Sequence, residues 1–352
     1  MSASCCDAVV GEKEKLLSLP LPTVRMRRLR STAAVRDLVR ESHLLAEDFV
    51  APLFVREDDS AGPREIVSMP GYCQWTLQTL GKEVETLAAL GVRAVMLFGI
   101  PIEKDAVGSS SWQDDGIVQK AIKVIKDVAP EIIVMTDLCF CEHTDHGHCG
   151  VVSEQRGHAD LDNDTTLPLL AKQALSHARA GADVLAPSGM VDGMVAAVRF
   201  TLDCHGFSHV AIITHAAKFC SALYGPFRDA IECGSQFGHR RSYQIDPANG
   251  DQALREIALD VEEGADMLMI KPAGIYLDIV RRAKEQFPAF PIATYFVSGE
   301  YAMVKAAAEK GWIDEDKVSY EMHLAAKRAG ADILVTYFTK QLLERALVRR
   351  SG

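Results

Sequence analysis

The chain has 352 residues, 48% of them apolar, and a formal net charge of −10 at pH 7. That length suits one large domain such as a barrel of about 250 residues or more, and the acidic balance argues against nucleic acid as a main partner. No apolar run approaches the roughly 20 residues of a membrane-spanning helix. The opening MSASCCDAVVGEKEKLL lacks both the basic-then-apolar plan of a secretory signal and the acid-free, Arg-rich make-up of a transit peptide. The expected location is therefore cytoplasmic, with no membrane partner. The nine cysteines are odd in number and unevenly spaced. In a chain of this size, that pattern suits metal binding or catalysis better than a disulfide framework.

Taken in chain order, residues 1–22 read as a flexible tail. Arg25, Arg27, Arg28 and Arg30 follow, either as a solvated basic arm or as an arm docked on an acidic neighbouring subunit. Tail and arm are assigned to 1–40 and the catalytic domain to 41–352. A recurring pattern then organises the chain: a helix ends in Gly and a short apolar strand follows, as in LGVRAVMLFG, AGADVLAPS, EGADMLMIKP and AGADILVTYF. Gly closes the helix in a left-handed cap. The unbroken apolar run suits a strand buried on both faces of a parallel sheet.

Strands are expected at 49–55, 94–100, 132–138, 184–188, 210–216, 267–271, 291–297 and 333–338. Amphipathic helices are expected at 80–90, 117–128, 166–180, 191–203, 251–263, 276–286 and 301–310, with a last one at 339–349. This alternation predicts an α/β fold, a (β/α)8 TIM barrel with an extended N-terminal arm. An open doubly wound sheet is the alternative, and the lack of GxGxxG after the first strand weakens it. Asp137, Ser188, Lys218, Lys271, Ser298 and Tyr337 fall at the ends of expected strands. Barrel enzymes build their active sites at that rim.

Three constellations carry chemistry. Residues 137–149 read DLCFCEHTDHGHC, placing Cys139, Cys141 and Cys149 at C-x-C-x7-C spacing with His143, His146 and His148 between them. Three thiolates leave a zinc ion one open position, whereas a histidine completing the shell would make a structural four-ligand site. Lys271 ends the apolar run MLMI, and Lys218 ends the preceding strand. Burial and a second nearby cation both lower a lysine pKa and make the amine nucleophilic. The loop after Lys218 carries Arg228, Arg240, Arg241 and Gln244 among Tyr224 and Phe227. It reads either as a lid whose arginine forks grip a carboxylate or as a solvated surface loop.

Together CFCEHTDHGHCG, AKFCSALYGPFRDA, RRSYQIDPAN, DMLMIKPAGIYLDIV and VSGEYAM closely resemble the porphobilinogen synthase (5-aminolevulinate dehydratase) family, from about residue 23 to 348. The resemblance implies condensation of two 5-aminolevulinate molecules to porphobilinogen. It implies Schiff bases on Lys218 and Lys271, and a catalytic zinc on Cys139, Cys141 and Cys149. Arg228, Arg240 and Gln244 would grip one substrate carboxylate, Ser298 and Tyr337 the other. Asp137 and Ser188 would contact polar groups of the bound substrate, with Tyr224 and Phe227 also at the substrate. It further implies a homo-octamer embraced by N-terminal arms, and an allosteric magnesium at Glu256. His215 and His239 depart from the family's usual Tyr and Asp. Ser242 stands where animal members have cysteine, which makes a second zinc site doubtful. A class I aldolase or decarboxylase needs one Schiff-base lysine and no zinc. A zinc hydrolase leaves two lysines surplus, and a barrel retired to a structural or regulatory role would be expected to have lost a lysine or a cysteine.

Overall fold

The recurrent Gly-Ala-Asp triplets do more than end helices. Asp183 Oδ2 accepts from Val134 N at 2.7 Å, while Asp183 N donates to Val134 O at 3.0 Å. Asp266 makes the same reciprocal pair with Ile212, and Asp332 with Ile292. Each aspartate latches the start of its own strand to the start of the preceding one. Lys126 and Lys284 neutralise two of the latches, on Asp183 and Asp332, at 2.6 and 2.8 Å.

The computed structural model describes residues 24–58, 60–155, 157–233 and 239–348. The chain divides into two units, Met1–His43 and Leu44–Gly352. In the first, a 3-10 turn at Met26–Arg30 precedes a short helix, Ala33–Leu38, whose start is capped by the Thr32 side chain. Neither element has a buried residue. The expected tail at 1–22 lies outside the described residues.

The second unit holds all the expected strands: β1 (Phe49–Arg56), β2 (Ala94–Ile100), β3 (Ile133–Leu138), β4 (Val184–Pro187), β5 (Ala211–Lys218), β6 (Met267–Lys271), β7 (Ile292–Phe296) and β8 (Ile333–Thr336). They pair in parallel in that order, and β8 returns to β1 through Phe49↔Leu334 and Val50↔Val335. The sheet is thus a closed barrel, and the open-sheet alternative falls. Every residue of β1 and β2 is buried, as helices outside and packed side chains inside require.

Helices α1 (Leu77–Ala89), α2 (Ile117–Val128), α3 (Asn163–Ala180), α4 (Met194–Cys204), α5 (Gly250–Glu262), α6 (Leu277–Gln286), α7 (Ser298–Glu309), α8 (Glu315–Ala329) and α9 (Thr339–Glu344) complete the alternation. Two differences from expectation have physical causes. Helix α8 was not anticipated, although Asp314 accepts from Lys317 N at 3.1 Å and Glu315 and Asp316 fill its first turn. Its apolar stripe is thin, so periodicity hides it while the cap announces it. The last helix stops at Glu344, well short of 349, where Ala346 takes a positive φ of 52°.

Loss of one latch should cost stability without touching the chemistry at the other end of the barrel. Asp332→Ala removes the acceptor for Ile292 N and the partner of Lys284. Urea denaturation should show a loss of about 1–2 kcal/mol, with turnover per folded molecule unchanged.

Candidate active site

Lys218 and Lys271 close β5 and β6, and the parallel register sets them directly opposite each other. Phe219 N donates to Lys271 O at 3.0 Å, so the pairing persists to the rim. Both lysines are 6% exposed. Lys218 Nζ donates to Ser188 O, just past the end of β4, at 2.6 Å. Lys271 Nζ lies 4.4 Å from the Tyr295 ring centre, 5.6 Å from Tyr224 and 5.9 Å from Phe227.

The two amines are driven in opposite directions. Burial, aided by the Lys218 cation, brings Lys271 from 10.5 down to about 7. Burial also pulls on Lys218, but the sulfurs of Cys149, Cys139 and Cys141 and the Asp137 carboxylate outweigh it, and its pKa is raised. The surroundings thus favour the charged form of Lys218 and the neutral form of Lys271. Asp137, near the end of β3, is pushed up by burial against the pull of both lysines. Its Oδ1 lies 3.8 Å from His215 Nε2, and neither atom has a hydrogen-bond partner.

The cysteine loop leaves β3 and folds on itself. Phe140 O accepts from His143 N and Thr144 N, both at 2.8 Å. Thr144 Oγ1 donates to His148 O at 2.9 Å, and Gly147 takes a φ of 74°. From α3, Gln173 Nε2 donates to Cys139 O at 3.1 Å. The sulfurs of Cys139, Cys141 and Cys149 lie within 4.8 Å of one another, all buried and none in a disulfide. Hydrogen bonds from Cys139 and Cys141 hold the Cys149 thiol well below its ordinary value.

This donor set fits a thiophilic ion such as zinc, held by three sulfurs with a fourth direction open. The interleaved histidines are engaged elsewhere. His143 Nδ1 meets Ser110 Oγ at 2.9 Å, His146 Nε2 meets Ala106 O at 3.1 Å, and His148 Nδ1 meets Tyr243 OH at 3.2 Å. None of them belongs to the sulfur cluster, so a structural site completed by histidine gains no support.

One cavity gathers Asp137, Cys139, Cys141, Ser188, Lys218, Tyr224, Phe227, Arg228, Arg240 and Lys271. Its free space of about 20 Å³ has room for little more than one water. Arg240 is buried and donates from Nη2 to Gly147 O at 2.7 Å, while Arg228 sits exposed on the short helix Gly225–Ala230. Gln244, Ser298 and Tyr337 are not among the lining residues. Gln244 N bonds to Arg240 O, Ser298 Oγ donates to Leu223 O at 3.4 Å, and Tyr337 OH meets Tyr295 OH at 2.9 Å. They back the wall rather than form it.

The structure adds Glu142, Phe98 and Tyr295. Glu142 is 3% exposed, with Oε2 3.4 Å from Cys141 Sγ and Oε1 without a partner. Burial, then Asp137, pushes its carboxyl up to about 7. Its place inside the cysteine motif was the available signal. Glu256 stands apart on α5. It accepts from Gln252 Nε2 at 3.5 Å and lines a separate cavity with Asp192 and Asp260. It joins no metal-binding cluster among the described residues. Ser242 Oγ donates to Asp160 Oδ1 at 2.6 Å, and His239 Nδ1 accepts from Arg241 N at 3.3 Å.

The family model for delta-aminolevulinic acid dehydratase matches residues 23–345. The chain belongs to the delta-aminolevulinic acid dehydratase family. It is 50% identical over 318 residues to the delta-aminolevulinic acid dehydratase of Halalkalibacterium halodurans, covering 90% of this chain and 95% of that one. It is likewise 50% identical over 319 residues to the enzyme of that name from a Synechocystis strain, covering 91% and 97%. The delta-aminolevulinic acid dehydratase (porphobilinogen synthase) of Toxoplasma gondii, solved with the reaction product porphobilinogen, superposes with a TM-score of 0.89 at 40% identity, covering 93% of this chain and 92% of that one. Membership makes the barrel a dehydratase, an enzyme of the lyase class. No helix among the described residues is long and apolar enough to cross a membrane.

The buried Lys271 should cost stability. Unfolded, it keeps its proton to about pH 10.4; folded, it gives it up near 7. Between those values the unfolded chain binds more protons, so stability should rise with pH, with the full cost present below 7. Lys271→Met should abolish turnover yet raise unfolding stability at pH 6.5 by about 2 kcal/mol or more. Chemical denaturation at pH 6.5 and 9.5 would show the gain shrinking at the higher pH.

Proposed function

We propose that this chain is a porphobilinogen synthase, condensing two molecules of 5-aminolevulinate to porphobilinogen with loss of two waters, a step toward heme and other tetrapyrroles. The observation that carries the reading is the register pairing of Lys218 with Lys271 in a cavity lined by Cys139 and Cys141, two of three clustered buried thiols. An aldolase needs only one such lysine, and a zinc hydrolase needs neither.

Each lysine, as its neutral amine, adds to a ketone and expels one water, leaving a protonated imine that serves as an electron sink; Lys218 first hands its proton to a base, for which Asp137 stands beside it. Formation of the C–C and C–N bonds returns both lysines as free amines, so two waters leave in all. Lys271, which gives up its proton near pH 7, is the readier nucleophile, and burial with the Lys218 cation keeps its pKa low. Asp137 faces both lysines, where a carboxylate stabilises iminium charge and moves protons at the substrate carbons. Zinc held by Cys139, Cys141 and Cys149 supplies a Lewis acid beside the lysines.

Arg228 and Arg240 grip one substrate carboxylate, with Gln244 behind Arg240; Ser298 and Tyr337 serve the other. Ser188 binds a polar substrate group, and Tyr224 and Phe227 wall the site. Holding both molecules makes a bimolecular condensation effectively unimolecular. The cavity is too small for two substrates as it stands, so the Arg-bearing segment after Lys218 must move aside. We further assign the exposed Arg25–Arg30 segment to contacts in a homo-octamer, Glu256 to a regulatory magnesium, and the enzyme to the cytoplasm.

Incubation of the purified protein with 5-aminolevulinate should yield a pyrrole detectable by its colour reaction with an aromatic aldehyde. Borohydride added during turnover should leave substrate attached to Lys271, Lys218 or both. Full activity in Lys218→Ala or Lys271→Ala would overturn the double Schiff base. Replacing Arg228 or Arg240 with Ala should raise the substrate concentration needed by about tenfold or more; saturation curves equal to wild type would remove the carboxylate grip.

Chelation should remove one metal per active site together with activity, and zinc should restore both. Cys149→Ser should lose zinc and turnover while circular dichroism stays that of the barrel. A metal-free sample with undiminished turnover would rule out the catalytic role of zinc.

A further inference from the structure

Glu300 is 2% exposed, and its carboxylate is held by backbone N–H groups rather than by a cation. It is the third residue of α7. Its Oε2 accepts from Val297 N at 2.7 Å, which closes the start of the helix. A helix cap needs no more than that. Its second oxygen does something else: Oε1 accepts from Gly274 N at 2.6 Å, across 26 residues of sequence. Gly274 lies three residues past Lys271. A Cβ built there would fall 2.7 Å from Oε1, so only glycine lets this loop approach the carboxylate.

The same turn of α7 makes a second close approach. A Cβ on Gly299 would meet Leu223 O at 2.5 Å and Leu223 Cα at 2.7 Å. Leu223 leads directly into Tyr224 and then Phe227, the rings that flank the Lys271 amine. One helical turn therefore touches the lysine loop through Glu300 and the aromatic wall through Gly299.

We propose that Glu300 is a positioning residue, which fixes the Lys271 amine against the Tyr224–Phe227 wall by holding the Gly274 loop to the first turn of α7. This rests on Lys271 being a Schiff-base lysine. Gln in place of Glu300 keeps the shape but turns an NH2 group toward an N–H donor, so the backbone N–H groups of Val297, Ala273 and Gly274 lose part of their shared acceptor. Glycine-to-alanine at 274 pushes the loop off the carboxylate from the other side.

The probe is 4-oxopentanoate, which carries the substrate's ketone and carboxylate without its amine. It is trapped with borohydride on the zinc-loaded protein and located by peptide mass. Glu300→Gln and Gly274→Ala should each slow trapping at Lys271 about tenfold or more. Each should move the midpoint of its pH dependence upward from near 7, as the amine leaves its buried place opposite Lys218, while zinc content stays that of wild type. In the double variant Glu300→Ala with Gly274→Ala, the added methyl group meets no oxygen, so the two effects should not add. Wild-type trapping rate and pH midpoint in both single variants, even with a lowered melting temperature, would leave Glu300 as a helix cap and overturn the positioning role. Absence of any wild-type adduct on Lys271 would overturn the Schiff-base reading itself, and this role with it.

Discussion

Two amines closing adjacent parallel strands, directly opposite in register and almost fully buried, form the constraint around which the site is organised. Two like charges so placed in a dry cavity repel, and each also loses its hydration. The structure resolves the conflict by making the amines unequal. Lys218 leans on the Ser188 carbonyl and on the field of the sulfurs and Asp137, and keeps its proton. Lys271 is enclosed by aromatic rings, which stabilise a cation far less than water does, and gives its proton up near neutrality. A neutral amine near pH 7 thus arises from burial and the neighbouring cation.

The cysteine loop follows the same economy. Its three sulfurs close around one point because the backbone turns at Phe140 and Gly147 and because Gln173 fixes the Cys139 carbonyl from α3. The histidines within the motif have partners outside the sulfur cluster: His143 meets Ser110, His146 the Ala106 carbonyl and His148 Tyr243. A carboxylate, Glu142, lies beside the sulfurs, its Oε2 3.4 Å from Cys141 Sγ. The second combination of possible ligand atoms, Asp137 with Cys139 and Glu142, ties the metal loop directly to the carboxylate that faces both lysines.

Much of this is legible in the amino-acid sequence. The strands stood out because a strand buried on both faces is an unbroken apolar run, and the rim residues stood out because a lysine or aspartate ending such a run has no packing reason to be there. Helix α8 escapes a periodicity reading because its buried face carries the polar Ser319 and His323, and its start is marked by the capping Asp314 with Glu315 and Asp316. The placement of Gln244, Ser298 and Tyr337 behind the cavity wall, the orientation of the histidines, and the second bond of Glu300 depend on tertiary approach. No local pattern encodes them. Spacing alone leaves the zinc ligand set open between three sulfurs and three sulfurs plus a histidine, and only the tertiary position of each imidazole, outside the sulfur cluster, bears on the choice.

The aspartate latches give the barrel a grain. They bind β4 to β3, β6 to β5 and β8 to β7, so these strands are joined as doublets at their starting ends. Lys218 and Lys271 ride on one doublet, Asp137 and Ser188 on another. The seam between those two doublets is β4 against β5, whose register holds only Val184↔Ala211 and Leu185↔Ile212. The Lys218–Ser188 contact spans this thinly stitched seam at its open end. Each half of the rim group therefore stands on a latched pair of strands, and the two halves meet across one of the barrel's two shortest registers, the other being β8 against β1.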